Sequence, residues 1–97
     1  MPLGLRLEST ALDDLEAICT HIAEASGDMT AERFGNRILK HCEKLRSAPR
    51  MGTPYARRRG IRKINEGPYK IFYRVTGTEI FVLRIWDGRR GTEPRFG

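Results

Sequence analysis

The sequence predicts an α+β fold: a small antiparallel sheet with an N-terminal helical hairpin packed on it, in the element order β-α-α-β-β-β. Three observations predict it. Two stretches of the N-terminal half carry apolar residues three and four apart, the mark of helices that each bury one face. Residues 57–90 hold three runs of strand type: one alternating, one almost wholly apolar and one weaker. The turns between these runs are short, and short turns join antiparallel neighbours.

In chain order, Leu3-Gly4-Leu5-Arg6-Leu7 alternates strictly and predicts a short opening strand with its three leucines on one face. Ser9-Thr10 supplies a helix N-cap, with Asp13 three residues after Thr10. Leu12, Leu15, Ile18 and Ile22 form the apolar stripe of this first helix, and Asp13, Asp14 and Glu16 suit the positive end of its dipole. Gly27 can end it by adopting positive φ. A second helix begins near Thr30 with Phe34, Ile38, Cys42 and Leu45 on its stripe. Lys40, Lys44 and Arg46 suit its C-terminal end, and Pro49 stops it.

The connection 49–55 is turn-rich and leads into Arg57-Arg58-Arg59 and a weak strand, Gly60-Ile61-Arg62-Lys63-Ile64. Next, Tyr69, Ile71, Tyr73 and Val75 alternate with Lys70, Phe72, Arg74 and Thr76, as in a strand whose two faces meet different surroundings. After the turn at Thr76-Gly77-Thr78, the run Ile80 to Trp86, interrupted by Arg84, has the make-up of a buried central strand. The tail from Gly88 to Gly97 is expected to trail along the surface.

Ninety-seven residues predict a single domain, 1–97, with room for one modest core. The N-terminus lacks the form of a signal peptide, and no apolar run approaches the ~20 residues that span a bilayer, so a cytoplasmic protein without membrane contact is expected. The two cysteines, Cys19 and Cys42, fit neither a disulfide scaffold nor a metal-ligand spacing, and no metal or cofactor is expected. Charge is lopsided. Residues 1–50 carry seven Lys/Arg against eight Asp/Glu, net −1, while residues 51–97 carry eleven against four, net +7. A field concentrated on the strand half favours an anionic or acidic macromolecular partner over mere solubility.

Several short patterns, in this order, resemble the RelE/ParE superfamily of toxins from type II toxin–antitoxin systems, on its ParE-like, plasmid-stabilisation side. They are Ala11-x-x-Asp14-Leu15-x-x-Ile18, Leu45-x-x-x-Pro49-x-x-Gly52 and Gly60-Ile61-Arg62-Lys63, followed by Tyr69-Lys70-Ile71-Phe72-Tyr73-Arg74-Val75 and Ile80-x-Val82-Leu83-Arg84-Ile85-Trp86. The resemblance covers nearly the whole chain. It implies a sheet backed by a helical hairpin, and a cognate antitoxin that wraps and neutralises the toxin. It also implies one of two targets: DNA gyrase for ParE-like members, or mRNA cleaved on the ribosome for RelE-like ones.

The residues bear on that choice. A ribonuclease needs cations for the phosphorane and groups that move protons. Arg62, Lys63, Lys70, Arg74 and Arg84 could supply the charge. The proton shuttle is missing, because His21 and His41 lie on the helices, far along the chain from the basic strands. Relatives commonly place a histidine after the last strand's aromatic residue, where this chain has Asp87. Ionised at neutral pH and flanked by Arg89 and Arg90, Asp87 is a poor acid and a weakened base. Tyr69 and Tyr73 alternate onto the face opposite Lys70 and Arg74, where a core role is the expectation. The reading is therefore a non-catalytic toxin that inhibits gyrase, with Arg57, Arg58, Arg59, Arg84, Trp86, Asp87, Arg89 and Arg90 as candidates for target contact. The alternative is a ribosome-dependent mRNA endoribonuclease using Arg62, Lys63, Lys70, Arg84 and Asp87. A non-toxic basic nucleic-acid-binding module comes third.

Overall fold

Three leucines on one side of the opening strand, β1 (Gly4–Leu7), lean on a core built between a sheet and two helices in a computed structural model that describes residues 2–96. The helices are α1 (Ser9–Ser26) and α2 (Asp28–Leu45), separated by Gly27 alone. Its φ of 93° is open to glycine and strained for other residues, and its N–H closes α1 on the Ala23 carbonyl at 2.9 Å. The later strands are β2 (Thr53–Pro54), β3 (Arg62–Glu66), β4 (Tyr69–Val75) and β5 (Glu79–Asp87).

The α+β class and the helical hairpin are as the sequence predicts, and β2 to β5 are antiparallel neighbours. The sheet holds two features the sequence reading does not contain. Its order is β1-β5-β4-β3-β2, with β1 parallel to β5, and the two-residue β2 extends the far edge. A parallel neighbour requires a long connection, which the intervening elements provide.

The second helix buries Phe34, Ile38, Cys42 and Leu45, the stripe read from its periodicity. In α1 the stripe is corrected by one residue. Ala11, not Leu12, enters the core beside Leu15, Ile18 and Ile22, and Leu12 is 51% exposed. The predicted cap is corrected too. The helix begins at Ser9, Glu8 stands at the N-cap without a side-chain bond, and the Thr10 hydroxyl donates to the Leu83 carbonyl at 2.8 Å. The physical reason lies in β5. Strand β1 pairs only with Glu79–Val82, so the edge of β5 beyond Val82 has no strand partner. The start of α1 takes its place: Glu8 N–H donates to Val82 O at 2.9 Å, and Asp14 Oδ2 accepts from Ile85 N–H at 3.0 Å.

Register matters equally. Phe72 pairs with Arg84 but Tyr73 with Val82, so Leu83 is an extra residue, a bulge. Strict alternation from Ile80 and Val82 would have driven Arg84 into the core. The bulge gives that place to Ile85 and turns Arg84 outward.

The face of the sheet away from the helices carries a second apolar cluster, Tyr55, Ile61 and Phe72, with Leu83, Trp86 and Phe96 packed against it. The tail therefore does not trail. It folds back so that Phe96 meets Phe72 and Tyr55 at ring-centroid distances of 5.4 and 5.9 Å, because those rings would otherwise face water. Among the described residues, no helix is long and apolar enough to cross a membrane. Burial pushes the Cys42 thiol up to about 12. Cys42 is expected to resist a thiol reagent at mildly alkaline pH until the protein is unfolded. Equal labelling of both cysteines in the native state would show that the core opens there.

Candidate functional site

Arg84 is the best-anchored cation of the sheet. Its Nε and Nη2 donate to the two oxygens of Asp14 at 2.7 and 2.9 Å, and its Nη1 donates to the Arg95 carbonyl at 2.8 Å. The guanidinium also lies 5.1 Å from the Trp86 ring centre. Both side chains of the pair are largely buried, 18% and 15% exposed, and hydrogen bonding to Asp14 raises the Arg84 pKa further. A positive charge offset by a carboxylate in a fork geometry holds α1 against β5 and has little field left for a ligand.

Around the end of β5, two guanidiniums lie over the Trp86 ring, Arg90 at 4.4 Å and Arg84 at 5.1 Å from its centre. Its indole N–H donates to the Thr92 carbonyl at 2.9 Å, fixing the tail. Asp87 accepts from the Arg89 Nε at 2.9 Å, the Arg89 Nη2 at 3.0 Å and the Arg89 backbone N–H at 2.9 Å. These bonds lower its pKa below the ordinary carboxylate range, so it remains ionised and weakly basic near neutrality. Arg89 reaches on to the Tyr69 hydroxyl at 3.2 Å and lies 5.5 Å from that ring centre.

The remaining candidates are dispersed. Arg62 donates to the Gly52 carbonyl at 2.8 Å, tying the loop before β2 to β3. Lys63 rests over the Tyr55 ring at 5.7 Å. Lys70 lies across the sheet from Trp86 in the register of β4 and β5. Arg57 approaches Glu93 at 3.9 Å, while Arg58 and Arg59 project into solvent. Arg84, Trp86 and Arg90 thus form one stack, and Asp87 and Arg89 form a pair beside it. Arg57 lies near the tail beside Glu93, and Arg58 borders the same depression as Arg84.

Four participants escaped sequence reasoning. Asp14 has a role in binding Arg84 that its position in a recurrent pattern hinted at without revealing. Arg95 and Phe96 come back onto the sheet through the tail. His21, distant along the chain from the strands, is brought by α1 to the rim of a depression of about 340 Å³ shared with Tyr69, Asp87 and Arg90. The other histidine, His41, is engaged with Glu66, Nδ1 to Oε1, at 2.9 Å. Among the described residues, no group of three or more His, Cys, Asp or Glu gathers as metal ligands.

Residues 5–91 match the family described as ParE toxin of type II toxin–antitoxin system, parDE. Toxin ParE3 of Caulobacter vibrioides is 31% identical over 85 residues, 87% of this chain and 85% of that protein. In the solved chromosomal ParDE system from P. aeruginosa, one chain superposes with a TM-score of 0.75 at 27% identity, over 86% of this chain and 92% of that one. A chain of the toxin–antitoxin complex RelBE2 from Mycobacterium tuberculosis gives 0.67 at 24% identity, over 88% and 96%, a likeness of fold.

Proposed function

Since this chain belongs to the family of ParE toxins of type II toxin–antitoxin systems, we propose that it stops growth by inhibiting DNA gyrase, without cutting RNA, and that a cognate antitoxin holds it inactive. The observation that carries the gyrase reading over the ribonuclease one is the engagement of its polar groups. Arg84 is neutralised by Asp14, Arg62 is bound to a backbone carbonyl, and Asp87 is held ionised by Arg89. A phosphodiester-cleaving site needs cations and proton carriers turned toward one substrate atom. Here Arg62 and Arg84 hold the fold together instead. Trp86, Arg90 and the exposed run Arg57-Arg58-Arg59 remain as contacts for a large partner.

An antitoxin partner is supported by the solved relatives, described as a ParDE toxin–antitoxin system and a toxin–antitoxin complex. Met29 and Leu39 stand exposed on α2, apolar surface of the kind that a folding peptide segment covers.

The ribonuclease alternative has one specific observation in its favour, the grouping of His21 with Tyr69, Asp87 and Arg90 around one depression. Two assays separate the readings. In a supercoiling assay with purified gyrase, the protein is expected to block the reaction, and added antitoxin to restore it. With purified translating ribosomes, the transcript is expected to stay intact. Cleavage that is lost in His21→Ala would establish the ribonuclease reading instead. Harmless expression without antitoxin, together with unaffected gyrase, would leave the simple binding module.

A further inference from the structure

Where the open face of the sheet meets the start of α1, Arg58, Arg74 and Arg95 meet around a depression of about 300 Å³ that Ser9, Thr10, Leu83, Phe96 and the Asp14-bound Arg84 also line. They come from three separate places: the loop before β3, strand β4 and the tail. Each is tethered through its backbone. Arg58 N–H donates to the Tyr55 carbonyl at 3.2 Å, Arg74 is inside a paired strand, and the Arg95 carbonyl receives the Arg84 Nη1. Among the described residues, none of the three guanidiniums has a carboxylate partner, and what sets them apart from other unpaired arginines such as Arg33, Arg37 and Arg59 is that they converge on one depression. Glu8 is the one acid that lines the depression. Three cations beside one unbonded carboxylate keep a net repulsion, and an anion spanning them relieves it.

We infer that this depression grips the phosphate backbone of duplex DNA. The aromatic neighbours point to backbone rather than bases. Two guanidiniums already lie over the Trp86 ring, and Phe96 is engaged with Phe72 and Tyr55, so the aromatic groups here serve the protein's own packing. Contacts made only to phosphates position a protein without reading sequence. The choice of DNA rests on the gyrase reading, because a gyrase inhibitor works beside a duplex held by its target. It adds that the toxin touches that duplex itself.

The test is fluorescence anisotropy of the full chain with a short labelled DNA duplex, between about 50 and 200 mM salt. Affinity is expected to fall with salt and to ignore base sequence. Each single change, Arg58→Gln, Arg74→Gln or Arg95→Gln, lowers the log–log salt slope by about 0.9, and the triple variant binds about tenfold weaker or worse. A control variant, Arg33→Gln/Arg37→Gln/Lys40→Gln on the exposed side of α2, keeps the original slope. Equal losses in the control would reduce the effect to net charge and overturn the assignment. So would tighter binding to an RNA duplex of the same sequence. Gyrase is absent from this measurement, so the two ideas fail separately. DNA binding without supercoiling inhibition sinks the gyrase reading. Inhibition by a protein that shows no arginine-dependent DNA binding sinks this one.

Discussion

Asp14→Asn is expected to cost about 3 kcal/mol of unfolding free energy, the lower end of what removing one partner of a buried ion pair costs. The lower end applies because both side chains keep some solvent contact. Asparagine has nearly the same shape, so packing is retained and the loss is electrostatic. The carboxylate accepts three N–H groups: Nε and Nη2 of Arg84, and the backbone N–H of Ile85. An amide turns one acceptor into a donor, which then faces another donor, and it leaves the guanidinium without a counter-charge. For a domain of this size the thermal midpoint should fall by roughly 12–24 °C, at about 4–8 °C per kcal/mol. Urea denaturation measures the free energy. A double-mutant cycle with Arg84→Met isolates the pair, with an expected coupling of about 2 kcal/mol. Coupling near zero would mean that the apolar stripe and the bonds of Glu8 and Thr10 hold α1 on β5 without help from the ion pair.

Gly52→Ala is expected to be comparably severe for a different reason. A methyl group at this position would stand 2.5 Å from the Lys63 carbonyl oxygen and 2.7 Å from the Tyr73 hydroxyl. Neither neighbour can yield easily. Lys63 lies in β3 opposite Thr53, and the Tyr73 hydroxyl donates to the Pro49 carbonyl at 2.8 Å while accepting from Gly52 N–H at 3.0 Å. Relief requires pulling the 49–54 loop off the sheet. That strands the buried Tyr73 hydroxyl and breaks the bond from Arg62 to the Gly52 carbonyl. The overpacking cost is about 3 kcal/mol, with the near-ultraviolet tyrosine signal changing alongside. Tyr73→Phe, which loses only the hydroxyl, should cost about 1–2 kcal/mol. The double variant should gain nothing, because the Lys63 carbonyl still blocks the methyl. A Gly52→Ala protein as stable as the parent would show that the loop has another place to sit.

Much of the fold was legible because it follows from local periods. The stripe Phe34, Ile38, Cys42 and Leu45 repeats at helical spacing, and Tyr69, Ile71, Tyr73 and Val75 repeat at strand spacing. Each pattern needs only an apolar neighbour of any kind, and each side chain lies in the core or, for Val75, packs against it. Ala11 shows where a local pattern misleads. Leucine at position 12 carries more apolar surface and draws the reading to itself, but it is Ala11 that α1 turns into the core, fully buried, while Leu12 is half exposed. Gly27 was legible because helix, glycine, helix is a backbone statement.

The candidate site was less legible, since its geometry depends on where distant segments meet. Arg84 counted as a free cation until the carboxylate of Asp14, seventy residues earlier, came to lie on it. The bulge at Leu83 decided which way Arg84 points, and a single extra residue in a strand leaves little trace in an apolar run. The tail's polar and glycine-rich composition suggested a loose end, yet Phe96 at its far end finds an apolar cluster to cover.

The sequence by itself determined the helical hairpin, the faces of β4, the cationic excess of the second half and the pattern that marks the family. These depend on residue type and on spacing within about ten positions. Tertiary structure alone decided which arginines are neutralised and which stay bare, where His21 comes to rest, and that β1 runs parallel to β5. Those are distances between residues far apart in the chain, and they are set by the packing of whole elements, which no local period encodes.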